Sequence, residues 1–104
     1  MKKLFAVGVV CGALMAAPAL AAQDENIDFG SATCGELLSA ADTAGADDMA
    51  GMMLWLDGYL SGVSGDTVLN WSNLSTFVDQ LSSYCQSHKS AKLLDAARKV
   101  GLGQ

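Results

Sequence analysis

At 104 residues with a formal net charge of −5, the chain is long enough for one small domain and too acidic for a nucleic-acid-binding protein. Binding to phosphate backbones needs a basic surface, and six lysines and arginines face eleven aspartates and glutamates. We therefore expect a single domain whose partners do not include nucleic acid.

The first 21 residues have the pattern of a cleaved secretory signal peptide. Lys2 and Lys3 precede an uncharged apolar run over 4–17, and the Ala-Leu-Ala sequence at 19–21 suits signal peptidase. The alternative, a retained membrane anchor, is disfavoured because the run is too short to span a bilayer. The pattern predicts export, with the periplasm as the destination.

Removal of residues 1–21 leaves two cysteines, Cys34 and Cys85, with four basic and eleven acidic residues, a formal net charge of −7. Two cysteines in an oxidising compartment predict one disulfide. Because the two positions are 51 residues apart, chain entropy predicts a stabilisation of about 4 kcal/mol.

The polar segment 22–32 predicts a flexible arm, followed by one domain over 33–101 and a tail over 102–104. Thr33 and Glu36 have the spacing of a capping box, so helix 1 is expected from Cys34 to about residue 41. A loop over 42–46 follows.

Helix 2 is expected to begin at an Asp47 cap and to end at Gly62 and Gly65. Its apolar residues recur every three or four positions and predict one buried face, formed by Met49, Met52, Met53, Leu56, Leu60 and Val63. Another face carries three glycines beside a tryptophan, namely Gly51, Trp55, Gly58 and Gly62, with Leu54 at the flank. Each glycine inside a helix costs about 1 kcal/mol relative to alanine. This face therefore predicts close approach of another surface, either a second copy or another part of this chain.

Helix 3 is expected from a cap at Ser72 or Asn73 to a polar break over 87–90. Its apolar face consists of Leu74, Phe77, Val78, Leu81 and Cys85. Helix 4 is expected over 91–100 with Gly101 as its C-cap, and its inward residues are Leu93, Leu94, Ala97 and Val100. The expected fold is all-α, a small bundle of about four short helices whose disulfide joins the start of helix 1 to the end of helix 3.

The residues give little support for catalysis. The lone histidine, His88, lies in a polar break and is expected at the surface, and helix capping accounts for Asp47 and Asp48. The sequence contains no glycine-rich phosphate loop and no His/Cys ligand set. We expect no enzyme activity, no cofactor and no metal.

Charge is segregated along the chain. Ten acidic residues and no basic one lie between residues 22 and 79, whereas the basic residues of the mature chain begin at Lys89. Near pH 2 the carboxylates are neutral and about five positive charges remain, so the domain is expected to loosen while the disulfide holds. Asp57, at the edge of the buried face of helix 2, is a pH-sensing candidate, the alternative being a solvated carboxylate.

Several short motifs in this order resemble the HdeA/HdeB family of periplasmic acid-stress chaperones. They are Thr33-Cys34-x-Glu36-Leu37-Leu38, Met52-Met53-Leu54-Trp55-Leu56, Gly65-Asp66-Thr67-Val68, Asn73-Leu74 through Val78, and Tyr84-Cys85. The Gly-Asp-Thr-Val turn and the Tyr-Cys ending look closer to the HdeB branch.

The resemblance implies a stress-response chaperone that is a homodimer at neutral pH and works without ATP. Acid would loosen it, and the exposed apolar surface would hold acid-unfolded periplasmic proteins. The expected client or dimer surface consists of Met49, Met52, Met53, Leu54, Trp55, Leu56, Gly58, Tyr59 and Gly62. Two departures from the family are the short carboxyl end with few lysines and the glycine-rich segment over 56–62.

A binding or immunity protein that neutralises a secreted toxin or enzyme is the alternative function. The sequence Gly58-Tyr59-Leu60-Ser61-Gly62 in helix 2 suits docking in the folded state. Such a protein would bind one partner at neutral pH. A chaperone of the first kind would suppress the aggregation of unrelated proteins only in acid.

Overall fold

Four α-helices in chain order make up the domain in a computed structural model that describes residues 26–104. They are α1 (Cys34–Thr43), α2 (Ala46–Ser64), α3 (Trp71–Ser87) and α4 (Leu93–Leu102). Over residues 26–104 the β-structure consists of one isolated β-bridge, between Thr33 and Lys92. The all-α prediction is confirmed. The predicted signal peptide over 1–21 lies outside the described residues.

The disulfide between Cys34 and Cys85 is confirmed, and it ties the first residue of α1 to the last turn of α3. The two Cα atoms are 4.8 Å apart, and both side chains are fully buried. Because α2 lies within the loop that this bond closes, the crosslink holds α1 and α3 together without restraining α2 directly.

The start of α1 has the capping box that its sequence predicts. The Glu36 backbone N–H donates to Thr33 Oγ1 at 3.2 Å, and the Thr33 backbone N–H donates to Glu36 Oε1 at 2.9 Å. The same end of the helix is docked on the segment before α4, since the Cys34 N–H donates to the Ala91 carbonyl at 2.9 Å. The disulfide therefore lies where α1, α3 and the entry to α4 meet.

The core is apolar and draws on all four helices. α3 packs on α1 and α4, and α2 packs on α4. Four of the six residues predicted on the inner face of α2 are buried, namely Met52, Met53, Leu56 and Leu60, and Met49 is half-buried. Val63 is 45% exposed, so its predicted burial is wrong. The 19-residue α2 is longer than the 10-residue α4 on which it packs, and Val63 lies in its last turn.

The N-caps of α2 and α3 differ from those expected. α2 begins at Ala46 with Gly45 as its N-cap, so Asp47 is not the cap and lies in the first turn. α3 is capped by Asn70 rather than Ser72 or Asn73, because the Asn70 side chain accepts from the Asn73 N–H at 3.0 Å. In each case the cap lies a residue or more before the expected position.

α4 begins at Leu93 and continues to Leu102, so Gly101 lies inside the helix and is not its C-cap. Gly103, with φ of +74°, ends the helix in the left-handed conformation that glycine adopts readily. A Cβ at Gly101 would collide with Leu60 and lie 3.3 Å from Phe77 Cε1. This glycine allows α4 to approach α2 and α3 closely.

Part of the predicted arm over 22–32 is packed against the helices. The Phe29 side chain is only 7% exposed, and Ala32 is fully buried. The Gly30 N–H donates to Asp28 Oδ1 at 2.9 Å in a turn, and the Leu93 N–H donates to the Ala32 carbonyl at 2.9 Å. From Ile27 onward this segment therefore contributes to the core, which differs from the expectation of a flexible arm.

Candidate interaction surfaces

The nine residues expected to form a client or dimer surface fall into three groups in the structure: core, half-buried and exposed. Met52, Met53 and Leu56 are core residues, whereas Met49 and Tyr59 are half-buried. The other four, Leu54, Trp55, Gly58 and Gly62, are exposed. In the folded state, Leu56 is available to a partner only if α2 moves, whereas Met52 and Met53 lie at the floors of surface depressions.

An aromatic row crosses the outer side of α2. The Phe29 ring stacks on the Trp55 ring with centroids 4.2 Å apart. The Trp55 ring also stacks on the Tyr59 ring, with centroids 5.9 Å apart. Tyr59 Oη accepts a hydrogen bond from Arg98 Nη1 at 3.1 Å, and Arg98 Nη2 pairs with Asp95 at 2.7 Å. The row links the amino-terminal segment, α2 and α4. Sequence reasoning missed Phe29, although it is a lone aromatic residue in a polar segment.

The glycine face of α2 is open. A Cβ added at Gly51, Gly58 or Gly62 would meet no atom within 4 Å. Within residues 26–104, the explanation that another part of this chain covers the face is therefore wrong at the three glycines, whereas at Trp55 the Phe29 ring does cover it. The second explanation, a second copy of the chain, stays a prediction.

We expect Gly58→Ala and Gly62→Ala each to stabilise the monomer by about 0.5–1 kcal/mol. Alanine has the higher helix propensity, and the structure has room for its methyl group. Urea unfolding at low protein concentration measures this gain, and sedimentation measures any dimer. Gly65→Ala is the control and is expected to destabilise, because Gly65 has a φ of +81°. Substitutions at Gly58 and Gly62 that leave a dimer intact would contradict a close-packed seam on this face.

A second exposed feature is an apolar groove of about 440 Å³ between α1, the first half of α2 and α3, which we name the α1–α2–α3 groove. Leu37 and Met53 are buried at its floor, and Leu54 and Trp71 are 41% and 68% exposed at its edges. The other lining residues are Leu38, Ala41, Met49, Ala50, Leu74, Ser75, Val78, Asp79 and Ser82. Sequence reasoning placed several of these residues in the core and did not anticipate an opening between the helices.

The charged and titratable residues form no evident chemical centre. Asp57 is half-buried and lines a shallow depression that also contains Asp66, and its role as a pH sensor stays a prediction. His88 is exposed, with its ring stacked on Tyr84 at 3.9 Å and its Nδ1 2.8 Å from the Tyr84 carbonyl oxygen. Over residues 26–104, no three His, Cys, Asp or Glu side chains are grouped to hold a metal ion. None of the four helices has the length and apolar character needed to cross a bilayer.

The family described as HdeA/HdeB matches residues 4–95. No curated protein and no solved structure matches the chain. The match does not separate the HdeA and HdeB branches. Because it covers most of the sequence, the chain belongs to the HdeA/HdeB family, which is known for periplasmic acid-stress chaperones.

Proposed function

We propose that this protein is an ATP-independent periplasmic holdase that loosens in acid and prevents the aggregation of acid-unfolded proteins. It is a homodimer at neutral pH, with the glycine face of α2 as the seam. The observation that carries the proposal is the family match over residues 4–95. The arrangement of the disulfide, the charges and the apolar face of α2 supports it.

The first support is the way α2 is held. α1 and α3 are crosslinked, but α2 is attached by packing and by one side-chain hydrogen bond to α4, from Arg98 to Tyr59. Its apolar side contains Met52, Met53, Leu56 and Leu60. Release of α2 would expose this side while the disulfide keeps the other helices close together. Methionine side chains are flexible and polarizable, which suits a surface that holds many different clients.

The second support is the position of the basic residues. His88, Lys89, Lys92, Arg98 and Lys99 all lie between the end of α3 and the end of α4. The ion pair seen over residues 26–104 joins Arg98 to Asp95 within α4. Loss of carboxylate charge in acid leaves these positive charges unbalanced, and they then repel one another on α4, against which α2 packs, and in the segment just before it.

Aggregation suppression tests the proposal. An acid-labile protein of unrelated sequence is incubated with and without the chain between pH 2 and pH 7. We expect protection below about pH 4, where carboxylates are protonated, together with a change in tryptophan fluorescence from the half-exposed Trp55. Equal protection at pH 2 and pH 7, or none at either, would contradict an acid-activated holdase. Asp57→Asn should shift the fluorescence midpoint if that carboxylate sets the activating pH.

A further inference from the structure

The segment before α1 connects two parts of the structure, and we name residues 27–32 the amino-terminal strap. At its carboxyl end the strap is fixed to the disulfide-linked part of the domain. Ala32 is fully buried, and its carbonyl accepts from the Leu93 N–H at 2.9 Å. The next residue, Thr33, forms both the β-bridge to Lys92 and the cap of α1. This end of the strap is therefore attached where α1 and the start of α4 meet.

The other end of the strap packs on the outer side of α2. Phe29 is buried, and its ring stacks on the Trp55 ring with an angle of 12° between the two planes. A turn fixes the position of this ring, because the Ser31 N–H donates to the Asp28 carbonyl at 3.2 Å and the Gly30 N–H donates to the Asp28 side chain. The strap therefore presents one aromatic ring to α2 in a conformation that its own hydrogen bonds define.

The strap contacts the half of α2 that lies away from the closest contacts with α4. α4 holds the carboxyl-terminal half, where it approaches Leu60 closely and where Arg98 donates to Tyr59 Oη at 3.1 Å. The amino-terminal half, residues 46–55, has the α1–α2–α3 groove on one side and the strap on the other. Met52 lies at the floor of a depression of about 270 Å³ that this half forms with the strap. Because the groove side is open, the attachment of this half depends to a larger extent on the strap.

We propose that the amino-terminal strap is an autoinhibitory element, which holds the amino-terminal half of α2 in the folded domain and covers its apolar outer side. Undocking of Phe29 from Trp55 releases this half of α2 before the carboxyl-terminal half and uncovers Met52. The consequence for client binding rests on the proposed holdase function, in which α2 is the part that moves. The restraint that the strap places on α2 is a property of the folded domain and is measurable without a client.

Amide hydrogen exchange of the oxidised protein at pH 7 tests this restraint. The protein is diluted until sedimentation shows monomer alone, so that a dimer seam does not affect the exchange. Phe29→Ala removes the ring stack and the buried area, and it is expected to accelerate exchange over residues 50–56 of α2 by about tenfold, with a smaller change over α3. Phe29→Leu keeps apolar volume but removes the stack, so it should give an intermediate value. Circular dichroism verifies folding, and Phe29→Leu is scored by the same criterion if Phe29→Ala does not fold.

Leu81→Ala is the matched control, since Leu81 is fully buried on α3 and lies outside the strap. It should accelerate exchange over α3 more than over the amino-terminal half of α2, which is the reverse of the pattern for Phe29→Ala. Equal acceleration of both helices by Phe29→Ala would make Phe29 an ordinary core residue and would overturn the proposal. Unchanged exchange over residues 50–56 would overturn it as well.

Aggregation suppression is measured separately on the same variants. Protection by Phe29→Ala should begin at a higher pH than protection by the wild-type chain, because α2 is released more easily. An onset at the same pH would overturn the autoinhibitory role. If the wild-type chain protects no client at any pH while the exchange pattern is as expected, the holdase function fails and the restraint of α2 by the strap is confirmed.

Discussion

Replacement of both Cys34 and Cys85 by alanine is expected to lower the free energy of unfolding by about 4 kcal/mol at neutral pH. The bond restrains a loop with a sequence separation of 51 residues, and both cysteines are fully buried where α1 and α3 meet. The free energy of unfolding of a small domain is about 5–15 kcal/mol in total. Loss of this crosslink therefore removes a large fraction of the stability of the domain.

Urea unfolding of the oxidised protein, the reduced protein and the double alanine variant measures this effect. Both forms should show the loss of the crosslink, and the alanine form should lose somewhat more stability, because it also removes two fully buried sulfur atoms. In acid, the two forms without the bond should expand further and recover less native fluorescence after neutralisation. Equal urea midpoints for oxidised and reduced protein, with equal recovery from acid, would mean that the crosslink contributes little to either property.

Features that depend on neighbouring residues in the chain could be predicted from the sequence. A hydroxyl group followed three residues later by a glutamate identified the start of α1, and both hydrogen bonds of the capping box are present. The three- to four-residue period of α2 identified its buried leucines, since one stripe of a helix must face the core. Only two cysteines follow the predicted signal peptide, and they allow one intramolecular pairing, so the disulfide could be predicted by counting.

Features that depend on how helices meet could not be predicted in the same way. Gly101 looked like a C-cap because glycine commonly ends helices, but its function is to let α4 approach Leu60 and Phe77. Phe29 lies in a polar segment and packs on Trp55, a contact between residues 26 positions apart in sequence. The groove arises because α2 packs on α4 while α3 packs on α1 and α4. The spacing of apolar residues within each helix does not indicate which helices pack closely and which are separated by a groove.

Leu56→Ala in α2 and Leu81→Ala in α3 are expected to affect acid activation differently, although each should cost about 2–5 kcal/mol at neutral pH. Both leucines are fully buried, so they form a matched pair. Leu81 lies one turn before Cys85, on a helix that the disulfide holds to α1. Leu56 lies on α2, which has no crosslink of its own.

If α2 separates from the bundle first, Leu56→Ala weakens the contact that is broken on activation and raises the pH at which client protection begins. Leu81→Ala weakens packing that persists after α2 leaves, so its shift should be smaller for the same loss of stability in urea. The comparison plots the midpoint of protection against the urea stability of each variant, with Leu56→Val and Leu81→Val as milder changes that keep the fold intact. Points from both positions on a single line would mean that the domain opens as a whole. A separate, steeper line for position 56 would identify α2 as the part that moves. A residue on the helix that leaves loses all of its packing contacts during activation, so its whole loss of stability appears in the midpoint of protection.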